Sequence, residues 1–253
     1  MANWFQRILR LGERTSGFPP SANGASSFHL LWDLPGAFRS VEVDLEVLVA
    51  PAVPQLYFWA LQVDFADDSG QHLGGAHLGL QWHPGHPGST AVNWGGYDRL
   101  GRVLAGSESA LRSAVGNENT RDLAWRAGEP YRLRVEQGRD PGTWDGVVAA
   151  PDGTVTTIRT LAVPGATYAR GASVWSEVFA RCDAPGVAVR WSRPRATTLE
   201  GVTMTPPTYA TSFQRHEDGG CANTDSVPDG FGVLQMTSTP RTAVPGDRLV
   251  VPS

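Results

Sequence analysis

Three of the six histidines in this 253-residue chain lie within one short stretch, at positions 77, 83 and 86. Imidazole titrates near neutral pH and also binds metals, so the cluster indicates either acid–base chemistry or a metal site. His77 and His83 would lie about 20 Å apart on a strand, because a strand rises ~3.3 Å per residue. They share an ion only if Pro84 bends the chain early. Zinc sites usually need three or four ligands, so we expect no metal here, and we place His86 in a solvated Pro-Gly turn.

His77 and Gln81 fall on the same face of a predicted strand, because side chains alternate between the two faces. If the preceding hairpin is tight, Gln62 or Asp64 of the neighbouring strand lies beside His77. A neutral imidazole beside a carboxylate or an amide is a workable acid–base pair. The alternative is a polar face that only contacts water.

Glu177 is the most distinctive carboxylate in the sequence. On a predicted strand, it shares a face with Trp175 and Phe179, and desolvation between two aromatic rings would raise its pKa. Either it forms an ion pair with an arginine such as Arg181 or Arg190, or it is a working acid.

Aromatic residues near the histidines indicate a binding loop. Trp94 and Tyr97 flank two glycines, and glycine lets a ligand approach the backbone closely. Core packing is an equally good explanation for Trp94. From these patterns we predict His77, Gln81, Tyr97 and Glu177 as catalytic residues, and Tyr57, Trp59, Trp94, Trp175 and Arg190 as substrate-binding residues.

Many short strands must position these residues. The chain has 29 Gly and 19 Pro, as expected for strands joined by tight turns. Strands are predicted at 41–49, 56–65, 75–82, 91–94, 131–136, 144–149, 155–161, 173–179, 187–192, 208–213, 231–237 and 248–251. One internal helix is predicted near 108–115, and Asp67 to Gly70 is a predicted hairpin turn.

This pattern predicts an all-β fold, a single-domain β-sandwich of jelly-roll or lectin-like type, with a closed β-barrel as the alternative. Residues 1–27 form an N-terminal strap or short helix, with Trp4, Phe5 and Ile8 on one helical face. Residues 28–253 form the single all-β domain.

Composition excludes several functions. The net charge is −4 and all 21 basic residues are arginines, spread along the chain, so we expect neither nucleic acid nor membrane as a partner. Cofactor-binding motifs are absent, and a small molecule is the expected partner. Cys182 and Cys221 could pair, but two cysteines make no disulfide framework. With no secretory signal evident, we expect a cytoplasmic protein.

Several short motifs together resemble an uncharacterised actinobacterial all-β family, a lectin-like domain of unknown function. The matching segments span roughly residues 40 to 225 and are 57–59, 75–81, 174–177, 189–192 and 221–224. The resemblance implies a lectin-like fold and supplies no catalytic residues. Family members are often exported, and this sequence departs from them because no secretory signal is evident.

Two functions follow as hypotheses. The first is a cofactor-independent enzyme of secondary metabolism that holds an apolar, polyketide-like intermediate in an aromatic pocket and promotes cyclisation, isomerisation or elimination. It requires Trp59, Trp94, His77 and Glu177 to line one enclosed cavity. The second is a lectin-like carbohydrate-binding module, which requires an open face instead.

Overall fold

A computed structural model describes residues 13–251 and contains sixteen strands in that range. The strands are β1 Ser26–Trp32, β2 Phe38–Val49, β3 Tyr57–Ala66, β4 His72–Trp82, β5 Thr90–Asp98, β6 Thr120–Asp122, β7 Pro130–Gln137, β8 Thr143–Ala149, β9 Val155–Ala162, β10 Tyr168–Val178, β11 Ala188–Thr198, β12 Thr203–Met204, β13 Thr208–Phe213, β14 Thr224–Pro228, β15 Val233–Thr237 and β16 Arg248–Val250. A 3₁₀ turn covers Pro87–Ser89. The all-β prediction is therefore confirmed, while the predicted helix near Trp4 lies outside the described residues.

The strands form two antiparallel sheets packed face to face. The first sheet runs β16-β13-β1-β10-β3-β4-β5-β6, and the second runs β14-β15-β11-β2-β7-β8-β9, with β12 paired to the end of β11. A single residue pair, Ala169 with Phe38, joins β10 to β2. The result is a β-sandwich that is not closed into a barrel, so the barrel alternative is wrong.

Alternating side chains build the core between the sheets. On β2, the valines at 41, 43 and 47 are buried while the intervening acidic residues face outward. Trp94 of β5 packs on Gly146 of β8, where an added Cβ would lie 2.4 Å from the indole Cγ. Glycine is needed at 146 because any side chain would occupy the space of the ring.

The outer face of the second sheet carries a ladder of ion pairs. Asp44 is almost fully buried, and its Oδ1 accepts a hydrogen bond from Arg132 Nε at 2.7 Å while Arg193 contacts its other oxygen. Arg190 Nη1 lies 2.7 Å from Glu46 Oε2 on the same face. These pairs tie β7, β2 and β11 together.

Two local expectations have different outcomes. The turn at 67–70 is confirmed, since Gly70 N donates to Asp67 O at 2.9 Å between β3 and β4. The helix predicted at 108–115 is wrong, because that segment is a loop that packs Leu111 against the core. No helix in the described range 13–251 is long and apolar enough to cross a membrane.

Candidate functional site

The outer face of the first sheet collects the polar residues of its three central strands. His77 of β4 lies opposite Gln62 of β3, which lies opposite Ser173 of β10. Asp64 lies two residues beyond Gln62 on β3, opposite Gly75 of β4. We call Asp64, Gln62, His77 and Ser173 the polar patch.

The polar patch is rich in hydrogen-bonding groups that have no protein partner. Within the described chain, Asp64, His77 and Ser173 make no side-chain hydrogen bond, and Gln62 uses only its Oε1, which accepts from Trp175 Nε1 at 3.0 Å. None of these atoms is among the buried polar atoms that lack a partner in residues 13–251, so the free groups are open to solvent. A cluster that keeps a carboxylate, an amide NH₂, an imidazole and a hydroxyl free is therefore suited to bind a polar ligand.

Aromatic rings hold the His77 side chain in place. Its ring centroid lies 5.5 Å from that of Phe58 and 5.7 Å from that of Trp175, both in edge-to-face geometry. Burial against these rings lowers the pKa of His77 to about 4, because a charged imidazole would lose its hydration. At neutral pH the ring is uncharged and offers one donor and one acceptor.

Glycines flank the Asp64 carboxylate on both neighbouring strands, although Arg170 of β10 lies opposite Asp64. A Cβ at position 75 would lie 3.0 Å from its Oδ1, and one at position 171 would lie 3.2 Å from its Oδ2. Burial raises the pKa of Asp64, while His72 and Arg170 act in the opposite direction. The carboxylate is thus a hydrogen-bond acceptor with open space on the two adjacent strands.

Glu177 and Gln81 lie two rows away from His77 and Gln62, on either side of Phe58 and beyond the row of Trp175 and Ala60. Burial raises the pKa of Glu177, and Asn23 Nδ2 donates to its Oε1 at 2.8 Å. The predicted ion pair of Glu177 is wrong within the described residues: Arg181 pairs with an aspartate at 183, and Arg190 with carboxylates at 46 and 229. Gln81 is buried, and its Oε1 has no partner there.

Four of the predicted binding residues lie away from the polar patch. Tyr57, Trp59 and Trp94 face the core between the sheets and are about 1% exposed or less. Arg190 lies on the outer face of the other sheet. The expectation that Trp59 and Trp94 share a cavity with His77 and Glu177 is therefore wrong, because strand alternation directs them to opposite faces.

Trp175 and Tyr97 are the predicted aromatic residues that do lie on the outer face. Trp175 is 7% exposed and fills the space above Ala60, so it supports the site more than it contacts solvent. Tyr97 is 53% exposed and lies opposite Gly75, next to Asp64. It forms the open rim of the polar patch.

The remaining histidines of the cluster have structural roles. His86 is 4% exposed and its Nδ1 is bonded to Asp122, so the expectation of a solvated turn residue is wrong. His83 Nδ1 accepts from Gly85 N at 3.1 Å. Among residues 13–251, no group of three His, Cys, Asp or Glu side chains is placed to hold a metal ion.

Sequence reasoning missed Ser173 as a site residue. Its position opposite Gln62 depends on a register shift in β10 between Arg170 and Ser173. No sequence signal marks that bulge. Gln62 or Asp64, in contrast, was expected beside His77 for a tight hairpin, and Gln62 is the residue that lies opposite it.

Comparisons with known proteins agree with this architecture. No protein-family model and no curated protein matches the sequence. The chain is similar to scytalido-glutamic peptidase bound to a peptide-based transition-state analogue, with 10% identity, a TM-score of 0.50, and coverage of 84% of this chain and 98% of that one. It is also similar to SCP-B, a member of the eqolisin family of peptidases in complex with a tripeptide, with 10% identity, a TM-score of 0.48 and the same coverage. At such identity, the first similarity establishes a shared fold alone.

Proposed function

We propose that this chain is a carbohydrate-binding protein of lectin-like type, which takes a hydroxyl-rich ligand on the outer face of the first sheet without covalent chemistry. The observation that carries the proposal is the set of unpartnered side chains in the polar patch. Sugar hydroxyls both donate and accept hydrogen bonds, and so match a mixture of carboxylate, amide, imidazole and hydroxyl groups. The resemblance to a lectin-like family supports the same function.

The position of the patch within the sheet argues against a peptide that adds as a strand. Peptides recognised in that way pair with the backbone of an exposed edge. The polar patch lies on β10, β3 and β4, whose backbone groups already pair with strands on both sides. A ligand there is recognised by side chains alone, with the exposed ring of Tyr97 available for stacking.

Cyclisation, isomerisation or elimination of an apolar intermediate is less well supported. Such chemistry depends on an enclosed apolar cavity that excludes water. The walls expected for that cavity, Trp59 and Trp94, are packed in the core. The outer face is instead polar and partly open.

The disulfide between Cys182 and Cys221 favours an oxidising compartment over the cytoplasm as the place of action. The two Cα atoms lie 5.6 Å apart, and each cysteine is 5% exposed. Disulfides persist in secreted and periplasmic proteins and are rare in the cytosol. Extracellular saccharides are accessible in such a compartment.

A binding assay with matched variants tests the carbohydrate proposal. Hexasaccharides of the cello-, laminari-, malto-, xylo- and chito-series are titrated into the wild-type chain by calorimetry. We expect saturable binding to at least one series, weakened by about tenfold or more in a Gln62→Ala/His77→Ala double variant, because each lost hydrogen bond contributes ~0.5–1.5 kcal/mol. His216→Ala, an exposed histidine outside the patch, is the control and should bind normally. No binding to any series, or equal loss in the control, contradicts the proposal.

Peptide hydrolysis is a second candidate, favoured by one observation. Glu177 is the sole glutamate in the strands described for the first sheet, and burial raises its pKa, in a fold shared with a glutamic peptidase. A protonated carboxyl group at that site could act as a general acid. Cleavage of denatured protein at acidic pH by the wild type but not by Glu177→Gln would establish this function and reject a non-catalytic lectin.

A further inference from the structure

A second group of underpartnered polar side chains lies where the two sheets meet at their edges, away from the polar patch. Arg159 of β9 is buried there, with a side chain only 2% exposed. Arg121 of β6 lies opposite Val92, a core residue, and so extends into the same gap between the sheets. Two guanidinium groups therefore share one partly buried region.

Few acceptors neutralise these two arginines. Arg159 Nη1 donates to Asn119 Oδ1 at 3.0 Å, and its Nη2 lies 3.6 Å from Glu118 Oε2, on a side chain that is 82% exposed. The Nε atoms of Arg159 and Arg121 are both buried without a partner among residues 13–251. Arg121 makes no ion pair within that range. Glu118 thus holds Arg159 loosely, and Glu108, which also borders this region, forms an ion pair with neither arginine among residues 13–251.

A cleft borders the two guanidinium groups, and a glycine leaves room for that of Arg159. A cleft of about 300 Å³ opens onto both arginines and is lined by Gly106, Ser107, Glu108, Ser109, Glu118, Arg121 and Arg159. A Cβ at position 106 would lie 2.3 Å from Arg159 Nη2. Ser109 Oγ accepts from Leu111 N at 3.2 Å, which leaves its hydroxyl hydrogen free to donate.

This arrangement is costly without an anion. A buried charge that lacks a partner is strongly unfavourable, and arginine is the side chain best suited to bind carboxylate or phosphate oxygens in pairs. Burial lowers the pKa of Arg159, and the nearby charge of Arg121 lowers it further, while Glu118 acts in the opposite direction.

We propose that the cleft between β6 and β9 is an anion-binding site for an oxyanion group, such as a carboxylate, sulfate or phosphate. Arg159 and Arg121 bind its oxygens, and Ser109 donates a further hydrogen bond. Glu118 occupies the site loosely when it is empty and moves outward when the anion enters. This site does not depend on the proposed carbohydrate function.

Titration of simple anions into the full chain tests the site. Sulfate, inorganic phosphate and glucuronate are each added at low ionic strength, where charge interactions are least screened, and binding is measured by calorimetry. Saturable binding of glucuronate alone identifies a carboxylate site. Saturable binding of sulfate or phosphate identifies a site for tetrahedral anions. Either result supports the proposal, and no saturable binding of any of the three overturns it.

Three variants locate the binding. Arg121→Gln should weaken it by about tenfold or more, since a charge-assisted hydrogen bond contributes ~1.5–3 kcal/mol. Glu118→Gln should strengthen it about two- to fivefold, because a competing exposed carboxylate is lost. Arg126→Gln, whose side chain is 82% exposed, is the control and should bind as the wild type does.

The result that overturns the site is equal weakening by Arg121→Gln and Arg126→Gln, which would mean general charge attraction. Unchanged or weaker binding by Glu118→Gln also overturns it. The Glu118 variant keeps the test valid if Arg121→Gln fails to fold, because Glu118 is largely exposed.

Discussion

Acidification should destabilise the protein through His77, and the size of the effect follows from its environment. Burial between Phe58 and Trp175 lowers the pKa of His77 from 6.5 to about 4 in the folded state. Between these two pH values, His77 is therefore mostly protonated in the unfolded chain and mostly neutral in the folded chain. Stability is fully present above pH ~6.5 and is lost as the pH falls from there towards 4.

The magnitude can be worked out from the two pKa values. With a folded pKa of about 4 and an unfolded value of 6.5, linkage gives a loss of about 2 kcal/mol at about pH 5 and about 3 kcal/mol at about pH 4, relative to neutral pH. These are large fractions of the ~5–15 kcal/mol by which a typical domain is stable. The effect should therefore be measurable by urea unfolding.

The assay compares the wild type with His77→Gln, which cannot titrate in this range. Both are unfolded in urea at about pH 7.5 and about pH 5. The loss of unfolding free energy on acidification should be about 2 kcal/mol larger for the wild type. Other groups near the face, including Asp64, Glu177 and His29, titrate in both proteins and cancel in the difference to first order.

Parallel pH dependence of the two proteins would refute this reasoning. It would mean that the folded state accommodates a charged His77 ring in spite of the neighbouring rings of Phe58 and Trp175. An NMR titration of the His77 ring protons provides an independent check. A midpoint near 6.5 would contradict the burial described here.

Two further predictions concern stability elsewhere. The double variant Cys182→Ser/Cys221→Ser should lower the unfolding free energy by about 4 kcal/mol, because the disulfide closes a loop between cysteines 39 residues apart. Chemical denaturation measures this loss, and a loss below ~1 kcal/mol would contradict the prediction. Asp44→Asn should cost ~1.5–3 kcal/mol, because it removes the charge shared by Arg132 and Arg193, although Arg132 keeps Glu42 and Arg193 is largely exposed. The same denaturation assay, with exposed Asp152→Asn as the control, would reject that account if both variants behaved alike.

Local sequence patterns predicted the elements of the fold well. Alternation located most strands, and the strand predicted at 208–213 has the same bounds as β13. The sequence patterns missed β6 and β12, which are very short, β14, which is short and polar, and β1, an apolar strand of 7 residues that falls largely within the segment predicted as an N-terminal strap. The helix predicted near Glu108 failed because tertiary contacts of Leu111 and Asn119 hold that segment as a loop.

The sequence by itself determined that His77 and Gln81 share a face, and it left Gln62 or Asp64 as the neighbour of His77, because these relations involve one hairpin. It did not determine which face meets the core, and so Trp59 and Trp94 were assigned to a site when they belong to the interior. Alternation separates the two faces of a strand but does not say which is buried when both carry aromatic residues.

Only the tertiary structure decided which distant strand completes the patch. Ser173 and Trp175 reach Gln62 across a pairing between residues 113 apart in sequence, through a bulge that sets their register. The same long-range packing joins Cys182 to Cys221 and brings Arg121 beside Arg159. Such contacts arise from the combined burial of many side chains across two sheets, which no local stretch of sequence encodes.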